Sequence, residues 1–120
     1  MRDKRERSSL GDLGETLVAA RLKDQGFEIV ARNARAGRLE IDLIARRGSL
    51  LVFCEVRSRR SDSIVDPIET IDPRKVARLR RAAGQWLASN PQPGVEIRFD
   101  AASVLFDRTP PRLDYFESAF

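Results

Sequence analysis

No histidine occurs among the 120 residues, and cysteine, tryptophan, tyrosine and methionine occur once each. The first absence removes Ser-His-Asp and Cys-His catalysis and every imidazole-ligated metal, so acid, base and ligand chemistry falls to carboxylates, lysine and arginine. A single cysteine, Cys54, permits neither an intrachain disulfide nor a thiolate zinc site, and its place in the run Leu-Leu-Val-Phe-Cys reads as that of a small buried hydrophobe. No apolar stretch approaches the roughly 20 residues that cross a bilayer as a helix. The charged opening Met1–Arg7 lacks the apolar centre of a signal peptide. These absences together lead to the expectation of a cytoplasmic protein with no membrane partner.

What is present is a chain that is 42% hydrophobic, enough for one modest core, so residues 1–120 are expected to form a single domain. The formal charge of +4 is unevenly spread: residues 1–60 carry 14 Lys/Arg against 9 Asp/Glu, and residues 61–120 carry 8 against 9. A basic excess of this size suggests a polyanionic partner, although a solvated charged surface accounts for it equally well.

The element order reads α, three β, α, β, which makes the chain an α/β protein. Residues 1–7 are expected to be frayed, and Ser9 with Asp12 three positions on marks a helix start, the helix running from about Leu10 to Asp24 and stopping at Gly26. Strands follow at Phe27–Arg32, Leu39–Arg46 and Leu50–Arg59, with a turn around Asn33–Arg38 and a tight Gly48-Ser49 turn. Asp72-Pro73 supplies an N-cap and a first-turn proline for a second helix that Ser89-Asn90-Pro91 ends. Val95–Phe106 reads as a fourth strand, and Leu113–Phe120 holds a short edge strand.

Side-chain alternation puts Glu40, Asp42 and Ile44 on one side of their strand and Ile41, Leu43 and Ala45 on the other; in the next strand Phe53, Glu55 and Arg57 share a side. A two-residue Gly48-Ser49 turn, with glycine in the first position that a type II′ turn requires, sets Asp42 opposite Glu55. Two adjacent carboxylates repel unless a cation or a shared proton intervenes. Mg²⁺ suits such a pair, since it takes oxygen ligands, keeps several waters and needs only one or two carboxylates. The backbone carbonyl of Val56 is a further candidate ligand. Such an ion polarises a scissile phosphate and makes hydroxide available near neutral pH. The same spacing also describes a solvated sheet face in which Glu40, Asp42, Glu55 and Arg57 form cross-strand ion pairs.

Glu15 falls with Gly11, Val18 and Leu22 on the apolar side of the first helix, at about 100° per residue, either as a marginal, partly exposed acid or reaching over the sheet to hold a water. In the second helix Val76, Leu79, Ala82, Ala83, Trp86 and Leu87 form the apolar side. Lys75 projects at the edge of that side, where it either snorkels or joins the chemistry. Arg74, Arg78 and Arg81 gather elsewhere as a solvated face or a phosphate track.

Taken together, Gly11-Asp12-Leu13-Gly14-Glu15, Gly26-Phe27, Asn33, Glu40-Ile41-Asp42-Leu43-Ile44, Val52-Phe53-Cys54-Glu55-Val56-Arg57-Ser58-Arg59, Lys75 and Ala119-Phe120 resemble the YraN-like family of bacterial proteins, placed in the PD-(D/E)XK nuclease superfamily. The resemblance implies a restriction-endonuclease-like α-β-β-β-α-β core, a mixed central sheet flanked by helices. It implies that Asp42 and Glu55 are the metal-binding acids, supported by Glu15 and Glu40, with Mg²⁺ or Mn²⁺ as cofactor and DNA as the nucleic-acid partner. Arg57 takes the place of the signature lysine; it stays protonated and grips phosphate, but does not serve readily as a base. Leu39 stands where a glycine usually precedes the Glu-Ile-Asp run.

Two functions follow from the resemblance. In one, the chain is a metal-dependent nuclease that hydrolyses phosphodiester bonds in DNA, with Arg57 and Lys75 stabilising transition-state charge. In the other, it is a non-catalytic nucleic-acid-binding or adaptor module with a degenerate site. A protein-interaction domain needing neither metal nor nucleic acid is the third class. Small nucleases often use two active sites to cut both strands of a duplex, which makes a homodimer the matching expectation for assembly, one that no residue pattern here supports.

Overall fold

A computed structural model describes residues 4–60 and 73–120. Its elements are α1 (Lys4–Asp24), β1 (Glu28–Ala36), β2 (Leu39–Arg47), β3 (Leu50–Arg59), α2 (Pro73–Ser89), β4 (Glu96–Leu105) and β5 (Arg112–Phe116). The five strands form one sheet in the order β1-β2-β3-β4-β5. Pairing is antiparallel except between β3 and β4, which run parallel, and it is the stretch of chain containing α2 that makes this parallel return. The architecture is thus the α-β-β-β-α-β order with a fifth strand added at the β4 edge.

Several boundaries differ from the local reading. Helix α1 begins by Lys4, which places Ser9 inside it rather than at its start and takes Lys4–Arg7 into the helix. Lys, Arg and Glu are good helix formers, yet a charged segment has no apolar period to announce itself. Strand β1 continues through Asn33 to Ala36, so the turn lies at Gly37-Arg38 rather than around Asn33–Arg38. The N-cap expected at Asp72 lies outside the described residues.

The end of α1 follows from Gly26. Its φ of +89° lets the N–H of Gly26 reach the carbonyl of Lys23 at 2.9 Å while the N–H of Phe27 reaches that of Leu22 at 3.0 Å, a Schellman closure. Phe27 and Leu22 are both buried in one core, so the cap also directs the chain into β1.

Apolar packing lies on both sheet faces. On the α1 side Val18, Ala19 and Leu22 pack with Leu43, Ala45, Val52, Cys54, Ala102 and Val104. On the α2 side Leu79, Ala82, Ala83 and Trp86 pack with Ile41, Ile44, Leu51 and Phe53. Phe53 is fully buried, edge-on to Trp86 at 5.9 Å and stacked on Phe99 at 5.7 Å. Burying each such side chain contributes about 1.5–3 kcal/mol.

Glycine at position 14 sets how near α1 comes to the sheet. A Cβ there would stand 3.1 Å from Ser58 Cβ and collide with Ser58 Oγ, so the helix crosses β3 with no room for a side chain. On the neighbouring strand β4, opposite Cys54, Asp100 is fully buried. It accepts from the Arg98 guanidinium at 2.8 and 2.9 Å, from the Ser118 N–H at 3.0 Å and from the Tyr115 hydroxyl. Those donors join β4, β5 and the turn after β5, and they satisfy both oxygens of the carboxylate. No described helix is long and apolar enough to cross a membrane.

Candidate functional site

The Gly48-Ser49 turn has two residues, with Gly48 at φ +60°, and pairs Arg47 with Leu50. From there the β2–β3 ladder runs to Leu43 opposite Cys54 and stops one step short of Asp42 and Glu55. Where main-chain pairing ends, the Asp42 side chain takes over: its Oδ2 accepts the N–H of Val56 at 2.8 Å. In an extended strand the N–H and C=O of one residue point the same way, so the Val56 carbonyl lies on the Asp42 side as well.

Strict alternation fails at this point. Ile41 and Ile44 both belong to the α2-side core, whereas an unbroken two-residue period would send them to opposite faces, and the expected grouping of Ile41 with Leu43 and Ala45 is corrected accordingly. Asn33 of β1, between the Arg32–Leu43 and Ala34–Ile41 pairs, has φ +50°. Asparagine is among the few residues that adopt this conformation readily.

Asp42 and Glu55 line one cleft of about 340 Å³, together with Arg38 and Glu40 from the β1–β2 hairpin and Lys75 and Arg78 from α2. Lys75 Nζ stands 3.7 Å from Glu55 Oε1, both groups half-buried. Glu15 lies on the α1 side, 8% exposed. Its Oε1 has no hydrogen-bond partner and stands 3.7 Å from an Arg32 guanidinium nitrogen, and the nearby Asn33 side chain favours its charged form.

Burial above all, and then the charge of Asp42, pushes the Glu15 carboxyl up to about 7. Burial likewise raises Asp42 to about 6; the Val56 hydrogen bond and Arg57 oppose the rise, and the charges of Glu55 and Glu40 add to it. Asp42 thus feels Glu55 and Glu40 while it acts on Glu15. Negative charge gathered in a poorly solvated place is what a divalent cation or a proton relieves.

Among the described residues no three Asp, Glu, Cys or His side chains converge as a ready-made metal site. The donor set is therefore two carboxylates, Asp42 and Glu55, with the Val56 carbonyl beside them. That is enough for Mg²⁺ or Mn²⁺ only when waters and substrate phosphate oxygens complete the shell. The residues present fit such an ion.

Of the residues singled out from sequence, the structure brings Asp42, Glu55, Glu40 and Lys75 to one cleft, with Glu15 behind Asp42 and half-buried Arg57 near enough to act on its charge. Arg74, Arg78 and Arg81 line an adjoining depression on α2, and Arg78 belongs to both surfaces. Sequence reasoning gave no site role to Asn33, Arg38 or Asp100. Asn33 carries a signal, tolerance of positive φ, but the local pattern places it at the opening of a turn. Asp100 carries one too, a lone acid in the run Phe99-Asp100-Ala101-Ala102.

Residues 14–104 match the profile of a family described as uncharacterised protein family UPF0102. A UPF0102 protein of Sorangium cellulosum is 52% identical over 103 residues, covering 83% of this chain and 72% of that protein. One of Anaeromyxobacter dehalogenans is 44% identical over 114 residues, 95% of this chain and 85% of its own. One of Acidothermus cellulolyticus is 38% identical over 125 residues, 95% of each. The matched span contains every residue of the cleft.

Proposed function

The chain belongs to the uncharacterised protein family UPF0102, and on that footing we propose that it is a nuclease of the PD-(D/E)XK type, hydrolysing phosphodiester bonds in DNA with Mg²⁺ or Mn²⁺. The observation that carries this reading is that Asp42 and Glu55 line one cleft with Lys75 3.7 Å from Glu55. Asp42, Glu55 and the Val56 carbonyl would hold the ion. Bound there, a divalent cation polarises the phosphate and lowers the cost of forming the nucleophile.

The chain's own groups do the rest. Glu15, buried on the α1 side, adds negative charge near Asp42, and the proton of the attacking water passes to solvent. Water oxygen bonds to phosphorus, the bond to the leaving ester oxygen breaks, and that oxygen takes a proton from solvent. Lys75 and Arg57 offset the charge that builds on the phosphoryl oxygens, Arg57 through a fork of donors that lysine lacks.

The test is cleavage of labelled single-stranded, duplex and branched DNA with Mg²⁺ or Mn²⁺. Cleavage that needs the metal and is lost in Asp42→Asn supports the proposal; cleavage undiminished in that variant marks a contaminant and removes it.

A second reading, a binding module without hydrolysis, is favoured by one feature, Arg57 in the place of the signature lysine. It predicts salt-sensitive DNA binding that persists in Asp42→Asn with no cleavage under any metal.

A further inference from the structure

The cleft is amphipathic. Arg38 and the half-buried Leu39 line it from the β1–β2 hairpin, Lys75 and Arg78 from α2, with the core residues Leu79 and Ala82 at its base. Leu79 and Ala82 are largely core residues, 9% and 1% exposed, so the apolar part is the outer edge of a rigid core. We propose that nucleic acid enters this cleft as a single strand, with phosphates against Arg38, Lys75 and Arg78 and an unpaired base against the half-buried Leu39. This deepens the nuclease reading and rests on it.

Two physical points carry the proposal. A duplex hides its base faces in the stack and presents phosphates and polar groove edges, so an apolar wall beside the acids gains nothing from it. An unpaired base offers a flat face that apolar and guanidinium surfaces bury favourably. The second point is size. A space of about 340 Å³ lies at the lower end of ligand pockets, roughly 300–1,000 Å³, which suits a nucleotide unit rather than stacked base pairs.

The exit is marked as well. Arg78 also lines the neighbouring depression with Arg81, three residues further along α2. At 1.5 Å per residue the two guanidinium-bearing positions are about 4.5 Å apart along the helix axis, a path by which a strand leaves the cleft along α2.

The experiment is equilibrium binding, by fluorescence anisotropy at low salt with Ca²⁺ in place of Mg²⁺, of one short labelled oligonucleotide single-stranded and annealed to its complement. The single strand is expected to bind at least about tenfold more tightly. Leu39→Ser, checked by circular dichroism for folding, weakens the single strand about fivefold and leaves the duplex unchanged. Arg78→Ala lowers the salt slope for the single strand by about 0.7. Duplex binding equal to or tighter than single-strand binding overturns the proposal while leaving the nuclease reading intact. So does unaltered single-strand binding in folded Leu39→Ser. Binding of neither form overturns both. The wild-type ratio decides the matter even if a variant does not fold.

Discussion

Asp42 Oδ2 accepts the N–H of Val56 at 2.8 Å across fourteen residues of sequence, one position beyond Glu55 and just past the last β2–β3 main-chain pair. The carboxylate thus replaces a ladder bond and is pinned toward the edge of β3 that carries Glu55. Asparagine can keep the bond through its side-chain oxygen while removing the charge. Asp42→Asn, which removes a charge that burial disfavours, is therefore expected to be at least as stable as wild type at pH 8 and close to it at pH 4, and to lower metal-dependent cleavage by about a hundredfold or more. Thermal unfolding beside single-turnover cleavage checks both. A large loss of stability would show that the charge, rather than the hydrogen bond, holds β3.

The pH dependence of stability follows from Glu15. Its folded-state pKa of about 7 stands above its ordinary 4.5, so the folded protein binds this proton more tightly than the unfolded chain does. The stabilising contribution is full below pH 4.5 and is lost as pH rises through about 7. Its size is on the order of 3 kcal/mol, since one pKa unit is worth about 1.4. Glu15→Gln should be more stable than wild type at pH 8 and indistinguishable at pH 4, by denaturant titration at the two values. Adding Mg²⁺ at pH 8 should narrow the gap by stabilising the wild type.

The close crossing of α1 over β3 gives a steric prediction. Gly14→Ala forces a new methyl against Ser58 and is expected to cost about 1–3 kcal/mol. Ser58→Gly, in the same chain, should recover part of that loss, because it removes both atoms the methyl meets. Ser58 Oγ is buried without a hydrogen-bond partner, so Ser58→Ala alone should be neutral or slightly stabilising. Additive losses in the double variant would place the strain elsewhere.

Tyr115→Phe tests whether the Asp100 network serves the fold alone. The substitution removes one donor to a fully buried carboxylate that keeps Arg98 and Ser118, and should cost about 1–3 kcal/mol. Binding and cleavage at a permissive temperature should not change. Altered cleavage with unaltered melting would instead tie this network to the cleft through β3.

Arg57 gives the sharpest chemical comparison. Arg57→Met should lower cleavage at least about tenfold, through loss of charge beside Asp42, whereas Arg57→Lys should cleave as well as wild type or better. Equal rates in all three would remove Arg57 from the mechanism.

Much of this arrangement was legible from short-range patterns. Leu50–Arg59 opens on the apolar run Leu-Leu-Val-Phe-Cys straight after a Gly-Ser turn, and β3 occupies those same positions. Leu43 could be brought opposite Cys54 because the turn contains two residues, whereas Asp42 and Glu55, one step further, lie beyond the paired ladder. Asn33 went the other way: its readiness for positive φ was visible, but only packing against α1 and β2 decides whether that φ ends a strand or bends it beside Glu15.

The sequence by itself determined the element order, the hairpin register, the apolar side of α2 and a chemistry restricted to carboxylates and cations, because each depends on residue types or on neighbours a few positions away. Tertiary structure decided that Lys75 meets Glu55, that Ile41 joins the α2 side, that Arg38 faces α2 across the cleft and that Asp100 is fully paired. Those contacts join residues far apart in the chain. They arise from how two helices seat on opposite faces of a sheet, and no local propensity encodes that seating.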